Sequence, residues 1–324
     1  MKKLLSVLAA ALLALLPLSA GAEAISGDSL DPHDIIITED SGGEFRPLPL
    51  DLSGGAPLMK SHYHYATAVY QDPTIRVERH RVESSESQWG VTYNYVLITI
   101  RDPSQLRTAP ADGKSFVSSA KVPVATMARR TNAVFAINGD FCAAFAGNKA
   151  SSYILREGTV YRDSVEPDLD ILLVDEAGDF HVLPAGPDLA ATDKTQINGK
   201  KVVNAFQFGP ALIIDGEKVP DESLIDPAHS PAYAEPKEKA QRLCIAQVGE
   251  RQYLVVYCRW GMNLPDFRDL TASIAPVKNA YILDGGLSAQ LVFLNKKYNN
   301  LTVYADNPRP VTDIIYFASA WFAK

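Results

Sequence analysis

The sequence predicts an α+β protein built on a mixed, largely antiparallel sheet core with a few helices. Three observations carry that prediction. Short β-branched or apolar runs are joined by two-residue turns at Glu157-Gly158, Ala177-Gly178 and Asp215-Gly216, the spacing of hairpins. Helical periodicity is confined to two clear stretches, Lys121–Thr131 and Leu264–Val277; in the second, Phe267, Leu270, Ile274 and Val277 share one face. Strands and helices do not alternate as a doubly wound parallel sheet requires.

The chain in order justifies each element. Residues 1–24 read as a signal peptide: Lys2 and Lys3 form a basic start, Leu4 to Leu18 an apolar run, and Ala20-Gly21-Ala22 or Ala22-Glu23-Ala24 a small-residue cleavage site. A secreted or extracytoplasmic protein is expected, with no later stretch long and apolar enough to span a bilayer. Residues 25–60 are rich in Gly, Ser, Pro and Asp and read as an extended arm or linker. The functional domain is expected over residues 61–324. Ser61–Arg81 alternates as a strand, with His62 and His64 on one face; no third ligand with zinc spacing accompanies them, so they read as solvated histidines. Val91–Arg101 is a strand that ends at the turn Asp102-Pro103-Ser104-Gln105. In the helix Lys121–Thr131, Pro123 sits in the first turn, where its missing N–H costs nothing. After the three hairpins comes a polar, Pro-rich loop, Asp221–Lys239. Arg242–Val248 and Gln252–Cys258 form a further hairpin, turning near Gly249-Glu250, and Val311–Phe317 is the closing strand.

Composition limits the function classes. The chain has 324 residues, 47% of them apolar, enough for a sizeable core. The leader carries two lysines and one glutamate, a net +1, so its removal takes the formal charge from −7 to −8. An acidic chain lacks the clustered Lys and Arg that nucleic acid or an anionic membrane surface requires. Export permits disulfides, but Cys142, Cys244 and Cys258 are three, and the hairpin turn would not set Cys244 directly opposite Cys258; the cysteines read as small buried hydrophobes.

Chemistry is expected where two buried strands stop. Ala280-Tyr281-Ile282-Leu283 runs into Asp284-Gly285-Gly286-Leu287-Ser288, which sets a carboxylate at the mouth of a sheet, followed by glycines able to take positive φ or approach a ligand closely. Ala133–Ile137 runs into Asn138-Gly139-Asp140-Phe141. Two such ends in one sheet would converge on one cleft.

Five segments then follow one another in order: Ala136-Ile137-Asn138-Gly139-Asp140-Phe141, Phe208-Gly209-Pro210-Ala211-Leu212, Arg242-Leu243-Cys244-Ile245-Ala246, Leu283-Asp284-Gly285-Gly286-Leu287-Ser288 and Asn307-Pro308-Arg309-Pro310-Val311. In order and spacing, over about Tyr65 to Phe317, they resemble the phosphodiester glycosidase family. The resemblance implies a hydrolase that cleaves the C1–O bond of a sugar-1-phosphodiester, here in envelope or exopolysaccharide material, and leaves a phosphomonoester on the other product. An oxocarbenium-like transition state wants a carboxylate near C1, and a phosphate-ester leaving group wants a cation more than a proton donor. On that reading Asp284 is the nucleophile or base, Asp140 the alternate acid or base, and Arg242 the phosphate clamp. Asn138 and Gly139 belong to the substrate-binding set; Gly285 and Gly286 would turn backbone N–H groups toward an oxyanion, and Ser288 would add a hydrogen bond.

This sequence departs from the family pattern at the glycine turn. Leu287 replaces a third glycine and Ala289 a second serine, and a leucine in such a turn would resist positive φ and narrow the approach to a ligand. A non-catalytic glycan-binding domain on the same fold is therefore the alternative. The expected partner is a carbohydrate or sugar phosphodiester. No cofactor is expected, although grouped Asp and Asn oxygens would also suit calcium or magnesium.

Overall fold

The computed structural model describes residues 42–50, 56–57, 69–139, 152–225, 239–295, 300–305 and 307–323. The leader, His62, His64, Asp140, Phe141 and Cys142 lie outside them. Strands predominate, and they form three principal sheets, each of which contributes to the largest hydrophobic cluster. The largest has eight strands in the order Glu217–Lys218, Ala211–Ile214, Asn279–Ile282, Ala240–Gly249, Gln252–Met262, Tyr93–Ile100, Ile75–Val82 and Val69–Asp72. A five-stranded sheet runs Asn300–Tyr304, Leu291–Asn295, Phe135–Asn138, Asp313–Phe317 and Leu106–Pro110. The third sheet contains Phe180–Leu183, Ile171–Asp175, Lys200–Phe206, Ile154–Arg156 and Thr159–Arg162, with Gln196–Ile197 against Lys200–Phe206. Gly43–Phe45 pairs with Trp321–Ala323, so part of the region read as an arm lies against the end of the chain.

Where the sequence predicts one mixed sheet, the structure has several, and the strand pairs among the described residues are antiparallel. The physical reason is the shortage of crossover elements. A parallel pair needs a long connection, usually a helix, and the α-helices among the described residues are Val124–Arg130, Asp221–Leu224 and Leu264–Ile274.

The hairpins form where the turn residues call for them. Glu157 (φ 48°) and Gly158 (φ 74°), and likewise Asp215 (φ 49°) and Gly216 (φ 86°), both take the positive φ of a tight hairpin turn. The Gln252 hairpin is longer than its apolar pattern, Ala240–Gly249 with Gln252–Met262, and turns at Glu250-Arg251 rather than Gly249-Glu250. Both helices are shorter than their periodicity. Val122 is taken by a backbone bridge to Val311, so the first helix begins at Val124 with Pro123 at its N-cap, one step outside the first turn. The other is capped by Asn263, whose side chain accepts the Asp266 N–H at 2.8 Å. It stops at Ile274 because Pro276 drives Ala275 to extended backbone (φ −154°, ψ 163°).

The core lies where the sheets meet. Phe317 sits between Phe135 (6.3 Å between ring centroids) and Tyr253 of the eight-stranded sheet (5.5 Å), and Phe180 of the third sheet lies 5.3 Å from Tyr253. Rings at these separations bury large apolar areas in favourable tilted geometry. The far face of the five-stranded sheet (Ala136, Val292, Ile314, Tyr316) packs on Val124, Met127 and Ala128 of the first helix.

The strand register accounts for the cysteines. Cys244 stands opposite Val256 and Cys258 opposite Arg242, and both side chains are buried. Burial pushes the Cys244 thiol up to about 12, although Thr271 Oγ1 lies 3.5 Å away. Since the thiolate is the reactive form, iodoacetamide at pH 8 is expected to leave Cys244 and Cys258 unlabelled in the folded protein and to label both in denaturant; peptide mass spectrometry reads the result.

Candidate functional site

The two strand ends singled out by the sequence do meet, but they come from different sheets. Asn279–Ile282 is an interior strand of the eight-stranded sheet, and Phe135–Asn138 is an interior strand of the five-stranded one. Asn138 joins them. Its Nδ2 donates to the Asp284 carbonyl at 2.8 Å and to the Gly139 carbonyl at 3.1 Å, and its Oδ1 accepts the Gln290 N–H at 3.0 Å. With both ends of its amide engaged and 1% of its surface exposed, Asn138 is a staple between sheets rather than a group turned toward ligand.

Asp284 lies one residue past the strand pairing that Leu283 still makes, its N–H donating to the Leu243 carbonyl at 2.9 Å. Its Oδ2 is 3.4 Å from Arg309 Nη2. Arg309 in turn donates from Nε to Ser288 Oγ at 2.7 Å, and its backbone N–H donates to the Leu287 carbonyl at 2.9 Å. Gln290 Nε2 donates to the carbonyls of Ser288 (3.2 Å) and Arg309 (2.9 Å) and ties that segment to the turn. Asp284 is 9% exposed and the Arg309 side chain 43%, so the carboxylate is sheltered while the guanidinium faces solvent. Sequence reasoning noted Arg309 only as part of a motif. A signal was present in Pro308-Arg309-Pro310: flanking prolines fix the backbone, as a presented side chain requires.

Arg242 reaches the same place through register. Cys244 is paired with Ile282 and Leu243 continues the ladder to Leu283, so Arg242 stands opposite Asp284. It is 3% exposed and donates from Nε to the Met262 carbonyl at 2.9 Å. One sheltered carboxylate and two guanidinium-bearing positions thus gather at the ends of two sheets. Charge-assisted contacts of this kind are about twice as strong as neutral ones. Asp140, the alternate acid or base of the sequence reading, is outside the described residues. Among the described residues no group of three or more His, Cys, Asp and Glu is placed to hold a metal ion, and no helix is long and apolar enough to cross a membrane.

The glycine turn divides its work. Gly285 is needed for a close approach: a Cβ there would lie 2.7 Å from the Gln241 carbonyl oxygen. Gly286 is needed for its φ of 55°, and a Cβ there would meet open space. Leu287, 45% exposed, follows in the short 3₁₀ turn Gly286–Ser288 outside the left-handed region. The strain expected of this leucine is absent because Gly286 alone carries the positive φ. Gly286→Ala is accordingly expected to cost about 1–2 kcal/mol, the left-handed penalty of a residue with a Cβ. Gly285→Ala, which presses on main chain, is expected to cost more. Thermal unfolding of the two variants side by side measures the order.

Fold and site together define a sheet-rich domain that presents an Asp–Arg–Ser cluster where two sheets end. The family profile of phosphodiester glycosidases matches residues 131–318, a span that contains Asn138, Arg242, Asp284, Ser288 and Arg309. The chain belongs to the phosphodiester glycosidase family. Among solved structures it is similar to the catalytic domain of zebrafish N-acetylglucosamine-1-phosphodiester alpha-N-acetylglucosaminidase, described as auto-inhibited by its pro-peptide. The identity is 15%, the match covers 91% of this chain and 99% of that one, and the TM-score is 0.57. It is also similar to a hypothetical protein from Synechocystis, with 15% identity, 80% and 64% of the two chains covered and a TM-score of 0.51. No curated protein matches the sequence. At these identities the likeness is one of fold.

Proposed function

We propose that the protein is an extracytoplasmic phosphodiester glycosidase that hydrolyses the sugar C1–O bond of sugar-1-phosphodiesters in envelope or exopolysaccharide material. The observation that carries the reading is Arg309, which contacts Asp284 Oδ2 (3.4 Å) and Ser288 Oγ (2.7 Å) and is still solvent-facing. A phosphodiester held by Arg309 would bring its anomeric carbon to the carboxylate. Asp284 then acts as nucleophile or as base for water at C1, and stabilises positive charge on the ring. Arg309, with Arg242 behind it, balances the charge that builds on the departing phosphate oxygen. The bond broken is C1–O; the water oxygen ends on the sugar, and its proton is released to solvent or to the phosphomonoester. Family membership and the leader-like N-terminus support the same reading.

Hydrolysis of a GlcNAc-1-phosphodiester in ¹⁸O-water tests it. The expected products are free sugar carrying the label and an unlabelled phosphomonoester on the aglycone. Label in phosphate, with sugar phosphate released, would mean phosphodiesterase chemistry instead. Binding without any product would assign the site to glycan recognition.

A further inference from the structure

Beneath the Asn138–Gly139 strand end lies a charged pair that the reaction does not use. Asp313 opens the strand Asp313–Phe317, one residue before Ile314, the partner of Asn138. Its backbone carbonyl accepts the Gly139 N–H at 3.2 Å. Its carboxylate packs so closely on Gly139 that a Cβ at that position would collide with both oxygens. The same carboxylate meets Arg156, with Nη2 3.4 Å from Oδ2, and both side chains are fully buried. Arg156 closes the strand Ile154–Arg156 of the third sheet. Its guanidinium is fixed there: Nη1 donates to the carbonyls of Leu155 (3.2 Å) and Ala205, and the group lies 4.0 Å from the centre of the Phe206 ring.

Stability is a poor reason for such a pair. Taking two charges out of water costs several kcal/mol per ion, and an apolar pair of similar volume often does as well or better. An apolar pair would not, however, hold a small planar group against a bare Cα from a fixed anchor in another sheet. We propose that Arg156 and Asp313 are positioning residues: the pair presses the Asp313 carboxylate on Gly139 and so sets the Asn138 amide, which in turn holds the main chain of Asp284. The chain of contacts runs from the third sheet through the five-stranded sheet to the carboxylate at the end of the eight-stranded one. Neither residue touches substrate. This inference deepens the glycosidase reading and rests on it for its kinetic test.

Asp313→Asn keeps the shape and removes the charge, Arg156→Lys keeps the charge and removes the fork, and Gly139→Ala displaces the carboxylate from the other side. Each variant is assayed per folded molecule, below its melting temperature, for kcat and KM on the sugar phosphodiester. The Asn138 side-chain amide is followed by NMR hydrogen exchange. A shift of the carboxylate's support by about 1 Å is expected to lower kcat about 100-fold with KM little changed, and the Asn138 amide is expected to exchange faster than in the wild type. Variants that melt earlier but keep wild-type kcat and a protected Asn138 amide would reduce the pair to a structural role and overturn the proposal. If the wild type releases no sugar, the glycosidase reading falls by itself. Faster Asn138 exchange in the variants would then still uphold the positioning of the strand end, and unchanged exchange would overturn that too.

Discussion

Asp284→Asn is expected to lower sugar release by roughly 10²–10⁴-fold, the scale of a lost acid–base carboxylate, with the fold intact. The structure explains why the two effects separate. The contact that ties Asp284 to the five-stranded sheet is made by its main-chain carbonyl, which accepts from Asn138 Nδ2 at 2.8 Å, and an asparagine at position 284 retains it. What changes is the side-chain charge. The ion pair to Arg309 spans 3.4 Å and one partner is 43% exposed, so its loss is worth only about 0–1 kcal/mol. Arg309 also keeps its bond to Ser288 Oγ. Thermal unfolding should therefore move little, and binding of a non-hydrolysable phosphonate analogue should persist or tighten as the like charge beside the phosphate disappears. A rate within tenfold of the wild type would remove Asp284 from the centre of the reaction.

Local chemistry was legible in the sequence and long-range pairing was not. Ile154–Arg156 and Thr159–Arg162 follow directly from the runs on either side of Glu157-Gly158, because a two-residue turn dictates which strands pair and in what register; Ile171–Asp175 and Phe180–Leu183 pair as expected, but around the three residues Glu176-Ala177-Gly178, one residue off the two-residue register. Phe135–Asn138 and Asn279–Ile282 are buried on both faces and built on the continuous apolar runs Ala133–Ile137 and Ala280–Leu283, and such a run says nothing about which sheet it joins. Hence the expectation of one sheet, where two sheets meet end to end. Within the site, the Asp284 turn, Asn138, Arg242 and Ser288 all stood out as residues. Their division of labour did not. Asn138 could be read as a ligand-facing amide until both its ends proved to be engaged within the protein. The Arg309–Asp284 contact spans 25 residues, across the strands Leu291–Asn295 and Asn300–Tyr304, and no periodicity reports a contact made by leaving a strand pair and returning. The Pro276 stop and the Val122–Val311 bridge shortened two helices for reasons of the same two kinds: the first is local and was readable, the second joins distant segments and was not.

Arg309→Ala is expected to lower kcat/KM by about 10²–10³-fold, the cost of removing one preorganised donor from a developing oxyanion. Arg242 makes the contrast informative. It is 3% exposed and donates to the Met262 carbonyl, so Arg242→Ala removes a buried charged donor and is expected to destabilise the protein by about 1–3 kcal/mol, whatever it does to the rate. The Arg309 side chain is 43% exposed, so solvent can replace more of what it supplies, and its variants report on chemistry more directly. Arg309→Lys sharpens the test. Arg309 reaches Ser288 through Nε and Asp284 through Nη2, two directions from one planar fork, and an ammonium has no such fork. If the residue acts as a charge for the phosphate, lysine should restore most of the lost affinity, seen in KM. If it orients carboxylate and leaving group together, lysine should restore KM and leave kcat low, since only interactions stronger in the transition state than in the ground state appear in kcat. The geometry favours the second outcome: a guanidinium that bridges the Asp284 carboxylate and the Ser288 hydroxyl, with its outer edge in solvent, can align the two groups in a way that a point charge cannot.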